Sequence, residues 1–474
     1  MHGIYSVDEV RAAEESLMAR LPPGALMQRA AHALSVHCAE LLGTVYGARV
    51  VLLVGAGNNG GDALFAGARL AERGAQLTAQ LLDLSRAHAD GLAALRRAGG
   101  RVSGPDTAAV ARADLVVDGM LGLGGRGGLR GEAVGLAEAA EDVLTVAVDL
   151  PSGVDADTGE AGESAVAADV TVTFGVLKPG IVIGRGAELS GEVRLVDIGV
   201  EAQAGPARIR MLEASDVRAV LPQPGASDDK YTRGVVGVVA GSPQYGGAGV
   251  LCTGSALAGG AGMVRYAGLA VDQIRACYPE VVVHDGGRPS ELRVQSWVVG
   301  PGLGTEQASR DLLADALSTD VPVIVDADGI TMLADDPSLV RDRRAPTVLT
   351  PHDREFERIA GPVGGDRIAA ARRAAADLGV TLLLKGNATV VADRDGGVFV
   401  NPTGTPWLGT AGSGDVLSGL VGALLAAGLG APLAAAVAAY VHGVAGQLAA
   451  TDGPPTAEDV LRALRPALRS ISSG

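Results

Sequence analysis

Three places in this 474-residue chain gather side chains that can do chemistry. The first, GTAGSGDVLSGLVGALL (409–425), is a glycine-rich turn running straight into an apolar helix. N–H groups of Gly412, Ser413 and Gly414 at the positive end of that helix dipole suit an anion, and Asp415 beside them can accept a hydroxyl proton. The pattern suits phosphoryl transfer, although G-x-x-x-x-G-K-[ST] is absent and no Walker A loop is expected. A plainer alternative makes Asp415 the N-cap of the helix. The second place, VVLLVGAGNNGGD (50–62), carries G-x-G-x-x-G after a strand, with Asp83 at the end of another, as in a dinucleotide fingerprint. Its centre, Asn58-Asn59-Gly60-Gly61-Asp62, is more polar than an ordinary dehydrogenase loop and points to a polar ligand or a cation. The third is a pair of strand ends, VVDGMLGLGGRGG (116–128) with Asp118 and VAVDLPSG (146–153) with Asp149 and Ser152. Asn, Asp and Ser oxygens from separate loops suit a hard alkali or alkaline-earth ion, and the glycine-rich stretch can wrap phosphates through backbone amides. Asp149 taken alone could equally cap the turn Pro151-Ser152-Gly153.

These residues need a scaffold that brings loops to one edge. From Arg49 onward Val-rich runs alternate with Ala/Leu/Arg-rich helical stretches, the pattern of a parallel sheet covered by helices. VVLLVG, QLTAQLLD, ADLVVDG, VLTVAVDL, ADVTVTFG and GEVRLVDIG make a first series; RGVVGVVAG, SWVVGPGLG, PVIVDADG, PTVLTPH, VTLLLKG, ATVVAD and GVFVN make a second. The intervening EAQAGPARIR (201–210) reads as linker or edge, which divides the chain into domains 1–208 and 209–474. Loops just after strands are where an open α/β sheet binds its ligands. KGNATVVAD (385–393) puts Lys385 at such a place, followed by Gly386, Asn387, Ala388 and Thr389, a sensible contact for nucleotide phosphate or ribose. His352, in TPHDREF (350–356), reads either as a ligand contact or as a satisfied core imidazole.

In order along the first half, GNNGGD, VVDGMLGLG, VDLPSGVDADTG, TFGVLKPG (173–180) and VDIG (196–199) resemble the NAD(P)H-hydrate epimerase family. GSPQYGGAG (241–249), GPGLG (300–304), DADG, TPHxxEF, KGNATV and GTAGSGD in the second half resemble the ADP- or ATP-dependent NAD(P)H-hydrate dehydratases of the ribokinase-like superfamily. The resemblance implies a Rossmann-like three-layer sandwich followed by a ribokinase-like α/β/α domain. It implies that Asn58, Asn59, Gly60, Gly61 and Asp62, together with Gly122, Leu123, Gly124, Gly125, Arg126, Gly127 and Gly128, hold the hydrated dinucleotide. It further implies that Asn59, Asp118 and Ser152 bind potassium and that Asp149 meets the ligand near its reacting carbon as a proton shuttle. In the second half it implies hydrate contacts at Ala248, Gly302, Gly304, His352 and Asp415, and nucleotide contacts at 385–389 and 412–414. Asp415 would deprotonate the hydroxyl as it attacks ADP or ATP, with magnesium held through water by carboxylates of the crevice. Substrates on this reading are the NADH and NADPH hydrates. The competing reading is a ribokinase-like small-alcohol kinase fused to a non-catalytic dinucleotide-binding module.

Composition bounds the rest. With 54 acidic against 39 basic side chains, a net charge of -15, and no Lys/Arg run, a nucleic-acid partner is not expected. Three scattered cysteines and a charged first twenty residues without an apolar core point to the cytoplasm. Between Asp415 and Asp452 no residue is formally charged, but Pro432 interrupts the stretch, so two core helices are expected there rather than a membrane span. A homo-oligomer is expected.

Overall fold

In the computed structural model, which describes residues 1–473, the chain separates into two compact units, His2–Arg208 and the chain from Ile209 onward. In the first unit a short strand β1 (His2–Ile4) precedes seven strands: β2 (Arg49–Val54), β3 (Gln76–Leu81), β4 (Arg101–Ser103), β5 (Leu115–Gly119), β6 (Thr145–Val148), β7 (Val170–Phe174) and β8 (Glu192–Val196). They form one parallel sheet in the order β4-β3-β2-β5-β6-β7-β8. Every residue of β5, β6 and β7 is buried, as is β2 after Arg49. Such unbroken apolar runs are what a strand covered by helices on both faces requires. The chain leaves β2 toward β3 on one side, whereas β5 continues on the other. The switch point therefore lies between the C-terminal ends of β2 and β5, where the order of an open sheet opens a crevice. Gly55 sits at that point because a Cβ on it would stand 1.8 Å from the Met120 carbonyl oxygen.

The second unit contains β9 (Ile209–Met211), β10 (Val235–Val239), β11 (Met263–Tyr266), β12 (Val282–Val283), β13 (Ser296–Val299), β14 (Val323–Val325), β15 (Thr347–Leu349), β16 (Thr381–Leu384), β17 (Thr389–Ala392) and β18 (Val398–Asn401). Their order is β9-β18-β17-β16-β15-β14-β13-β10-β11-β12, with the switch point between β10 and β13. From β12 through β16 neighbours run parallel, but β17 is antiparallel to both β16 and β18. The connections Lys385–Ala388 and Asp393–Gly397 are too short for the crossover that a parallel pair needs. This antiparallel run departs from a simple strand–helix alternation, and β9, β11 and β12 are strands absent from the series read in the sequence. Strand β9 begins inside the segment read as linker.

The uncharged stretch forms two helices, Ser413–Ala426 and Ala431–Ala449, with Pro432 in the first turn of the second. Pro is tolerated there because that N–H has no partner within the helix. The segment Ala431–Asp452 is long and apolar enough to cross a membrane, yet 61% of its apolar window is buried inside the protein. Its Ala434–Ala439 face packs into the core formed with Val416, Leu420 and Leu424 of the preceding helix.

Each unit has its own sheet and its own apolar core. Fragments 1–208 and 209–474 expressed separately should each give one cooperative urea transition; a fragment that shows none even when co-expressed with the other would refute independent folding.

Candidate functional sites

In the first unit a cavity of about 930 Å³ opens at the switch point, lined among others by Glu14, Asn58, Asn59, Asp62, Gly122 and Asp149. Asp149 follows β6 with φ +70°, a left-handed conformation that a residue with a Cβ rarely adopts. The reason is visible in what its carboxylate reaches. Oδ1 accepts hydrogen bonds from Lys178 Nζ at 2.5 Å, Thr173 Oγ1 at 3.0 Å and the Phe174 N–H at 3.3 Å. Lys178 is 1% exposed and also donates to the Phe174 carbonyl at 3.0 Å, so the ammonium is enclosed and paired. The turn-capping alternative for Asp149 is therefore not what the structure shows: its partners lie on β7 and at Lys178, not in the turn 151–153.

Asp118, at the end of β5, is fully buried, and burial pushes its carboxyl up to about 6 despite hydrogen bonds from Ser152 and Met120. Ser152 Oγ donates to Asp118 Oδ1 at 2.6 Å and accepts from the Leu121 N–H at 2.8 Å. Asn59 Nδ2 contacts the carbonyls of Val148 at 2.5 Å and Leu121 at 3.3 Å. Two carbonyls, a hydroxyl and a carboxylate thus converge near one amide, a hard-oxygen donor set of the kind an alkali ion takes. Gly122 is required beside it, since a Cβ there would come within 2.3 Å of Asn59 Oδ1.

Asn58 and Asn59 open the helix Asn58–Glu72, with Asp62 one turn in. Gly60 and Gly61 pack behind the cavity lining, Gly60 against Gly55 and Gly61 against Met27 and His88. Asp62 is 7% exposed, and its Oδ1 is buried with no hydrogen-bond partner. Burial, with Asp149 and Glu14 nearby, holds this carboxyl well above the usual carboxylate range. Of the glycine-rich loop, Gly122, Leu123, Gly124 and Gly125 line the cavity. Arg126 is instead directed into solvent 4.0 Å from Asp155, and Gly128 packs on Gly162. Asp83 is exposed and caps the short turn Leu84–Arg86, so it does not serve the crevice as a fingerprint acid would.

In the second unit the loops after β10, β13, β14, β15 and β16 lie at the same C-terminal edge. Asp326, 1% exposed, accepts from Lys385 Nζ at 2.8 Å and from Ser418 Oγ at 2.7 Å. Lys385 Nζ also stands 3.7 Å from Glu355 Oε2. Burial opposes the Lys385 charge, but Asp326 and Glu355 outweigh it and hold the ammonium above its ordinary range. A Cβ built on Gly414 would lie 3.3 Å from Lys385 Nζ, so the cation faces the N-terminus of the helix Ser413–Ala426.

Asp415 is the third residue of that helix; Gly412, with φ +91°, is its N-cap and Asp415 makes no capping bond. The N-cap alternative is thereby corrected. Burial and the neighbouring Asp326 raise the Asp415 carboxyl to about 7, Lys385 pulling the other way. Three contacts fix this turn: Cys252 Sγ reaches the Asp415 carbonyl at 3.2 Å, Ser255 Oγ donates to the Val416 carbonyl, and His442 Nε2 meets the Ser413 carbonyl at 2.9 Å. Burial lowers His442 to about 4, so it is neutral and its Nε2–H donates.

His352 is half exposed and is not a core imidazole: it caps the helix Asp353–Ala360, Nδ1 accepting from the Arg354 and Glu355 N–H groups. Ala248 and Gly302 adjoin, with a Cβ on Gly302 falling 2.7 Å from that of Ala248, and the Gly304 N–H donates to Asp328 at 2.9 Å. Gly386 and Asn387 are exposed, whereas Ala388 and Thr389 are buried in the hairpin. Sequence reasoning missed Asp326, Glu355, Ser418, Glu14 and the pairing of Lys178. Asp326 and Glu355 do lie within motifs already singled out; nothing local signals the others.

Similarity to known proteins agrees with this division. The family model described as YjeF-related protein N-terminus matches residues 23–180, and that described as NAD(P)H-hydrate dehydratase matches 236–464. A bifunctional NAD(P)H-hydrate repair enzyme of Mycobacterium leprae is 52% identical over 463 residues, covering 96% of each chain. One of Corynebacterium glutamicum is 37% identical, covering 90% of this chain and 87% of its own. A crystal structure of a ribokinase-like superfamily protein from Enterococcus faecalis, 26% identical, covers 56% of this chain and 98% of its own with a TM-score of 0.51. With both halves matched and near-complete coverage of such relatives, the chain belongs to the family of bifunctional NAD(P)H-hydrate repair enzymes.

Proposed function

We propose that the first unit interconverts the two hydrate epimers of NADH and NADPH and that the second dehydrates one epimer at the expense of ADP or ATP. The observation that carries the second half is Asp415, half-buried at a helix N-terminus beside Lys385 and held near pKa 7. Hydroxide leaves poorly at neutral pH, but a phosphorylated hydroxyl leaves readily. Asp415 takes the hydroxyl proton as its oxygen attacks the terminal phosphoryl group, and the nucleotide departs one phosphate shorter, AMP in the case of ADP. The ring nitrogen's lone pair then expels phosphate, and loss of a proton from the adjacent carbon restores the dihydronicotinamide. Lys385 and the N–H groups of Gly412, Ser413 and Gly414 meet the charge on the phosphates. Magnesium would screen charge between phosphates. Among the described residues no three carboxylate, imidazole or thiolate groups converge to chelate an ion directly, so carboxylates of the crevice would hold it through water.

In the first unit Asp149 is the proton shuttle at the reacting carbon, which is bonded to both the hydroxyl and the ring nitrogen. Asn59, Asp118 and Ser152, with the carbonyls of Leu121 and Val148, would hold potassium, whose charge would offset that of the buried Asp118.

Asp149→Asn should slow interconversion of purified epimers by at least about a hundredfold, the scale of losing a proton-transfer group, while nucleotide-dependent repair persists. Near-parental interconversion removes Asp149 from the chemistry. Asp118→Ala should abolish the potassium dependence of that step; an unchanged response refutes the ion site.

Because Asp415 must be ionised to act, repair under saturating nucleotide and magnesium should rise with pH through about 7. Asp415→Asn should lower the repair rate by about 10²–10⁴ at unchanged nucleotide affinity, read as return of dihydronicotinamide absorbance. A variant within threefold of the parent excludes Asp415 as the base.

A further inference from the structure

A carbon that carries a hydroxyl beside a ring nitrogen inverts when oxygen leaves one face and water returns to the other, and in that route a single carboxylate reaches only one face. Asp149 stands above the end of β6, and Asp62 stands in the helix that follows β2. Strand β5 lies between β2 and β6, so the two supporting strands are about 10 Å apart, two strand spacings. A flat ring packed on both faces needs about 7–8 Å, twice a van der Waals contact. Both carboxyl groups line the same cavity.

Their surroundings differ in the way an acid and a base should differ. Asp149 is ion-paired with the enclosed Lys178. Asp62 is 93% buried, and Oδ1, enclosed at the wall of the cavity, has no hydrogen-bond partner. The charged groups around it are Glu14 and Arg11 of the helix Val7–Met18, His88, Asp149 with Lys178, and Arg86 and Asp90, which also line the cavity. None of the cations is bonded to Asp62, and besides its burial two further carboxylates, Asp149 and Glu14, favour its protonated form. An unpaired carboxyl in that position stays protonated rather than bear an uncompensated buried charge.

We propose that Asp62 is the second proton-transfer residue of the epimerase, acting on the ring face opposite Asp149, and that Glu14 is the positioning residue that keeps it protonated. The inference rests on the epimerase reading above. As the C–O bond breaks, the ring nitrogen's lone pair forms a C=N bond and the Asp62 proton passes to the departing oxygen, releasing water. Water then adds to the opposite face, the C=N electrons return to nitrogen, and the proton shed by the adding oxygen goes to Asp149. Exchange with solvent returns a proton to Asp62 and removes one from Asp149; the reverse epimerisation uses the same pair with roles exchanged. No oxidant or cosubstrate enters.

The test uses the full chain and each purified hydrate epimer, following interconversion by chromatography without nucleotide and repair with it. Asp62→Asn should lower kcat for interconversion at least about a hundredfold with KM within threefold, repair of the reactive epimer unchanged and the thermal transition of the first unit retained. Glu14→Gln should move the alkaline decline of interconversion to lower pH, because removing a like charge lets Asp62 ionise sooner. An Asp62→Asn kcat within threefold of the parent, a loss confined to KM, or a Glu14→Gln pH profile superimposable on the parent's overturns the proposal. The last readout stands even if Asp62→Asn fails to fold. A parent chain that does not interconvert the epimers at all instead overturns the epimerase reading on which the proposal rests.

Discussion

Enclosing a carboxylate away from water costs several kcal/mol unless a cation or several donors compensate it, and each unit provides one lysine for the purpose, enclosed in the first and partly exposed in the second. Lys178 goes to Asp149 and Lys385 to Asp326. Each pairing leaves another acid of the same site without a full counter-charge: Asp62 in the first unit and Asp415 in the second. The division between a fixed charge and a movable proton is therefore set by where the lysine is. In a chain with a net charge of -15 this local placement, and not the overall field, is what makes either site hospitable to phosphorylated dinucleotides or nucleotides.

Backbone geometry serves the same ends. Among the described residues the two other than glycine with positive φ are Asp149 at +70° and Ala327 at +50°, the latter directly after Asp326. Each marks the point where a parallel strand ends and the chain must turn sharply to aim a carboxylate across the sheet edge. Such conformations cost about 1–3 kcal/mol each and persist only where the surroundings hold them. Here the lysine pairs do the holding, together with Thr173 and the Phe174 N–H in one unit and Ser418 in the other.

The sheets and the strand-end loops were legible in the sequence because unbroken Val-rich runs and the polar residues after them are local patterns. The positions of Asn59, Asp118, Ser152, Lys385 and Asp415 followed from those loops. What the sequence did not disclose depends on contacts between distant segments. Lys178 meets Asp149 across 29 residues and Lys385 meets Asp326 across 59, and neither spacing has a sequence signature. Glu14 belongs to a helix before the first strand of the sheet, so no strand-end argument could reach it. Arg126 shows the opposite error: a glycine-rich loop can go either way, and the positive φ of Gly127 and Gly128 carries the chain back against Gly162 and away from the cavity. The antiparallel β16–β18 run was hidden because connection length, rather than strand composition, decides between a hairpin and a crossover.

The two halves face one chemical difficulty, the departure of oxygen from a carbon next to nitrogen, and their architecture answers it differently. Where the product must remain a hydrate, the leaving oxygen needs only a proton and a partner to receive water from the other side. A cavity between two strand ends with one paired and one unpaired carboxyl meets that need. Where the oxygen must leave for good, it is first converted to phosphate, and charge then accumulates on the phosphoryl oxygens instead of on the leaving hydroxyl. That demand fits a second site in which Lys385 and a helix N-terminus stand beside Asp415 and in which His442, Cys252 and Ser255 all anchor the first turn of that helix. Rigid backbone donors stabilise developing charge without reorganising, so fixing the turn matters as much to this site as the acidity of Asp415.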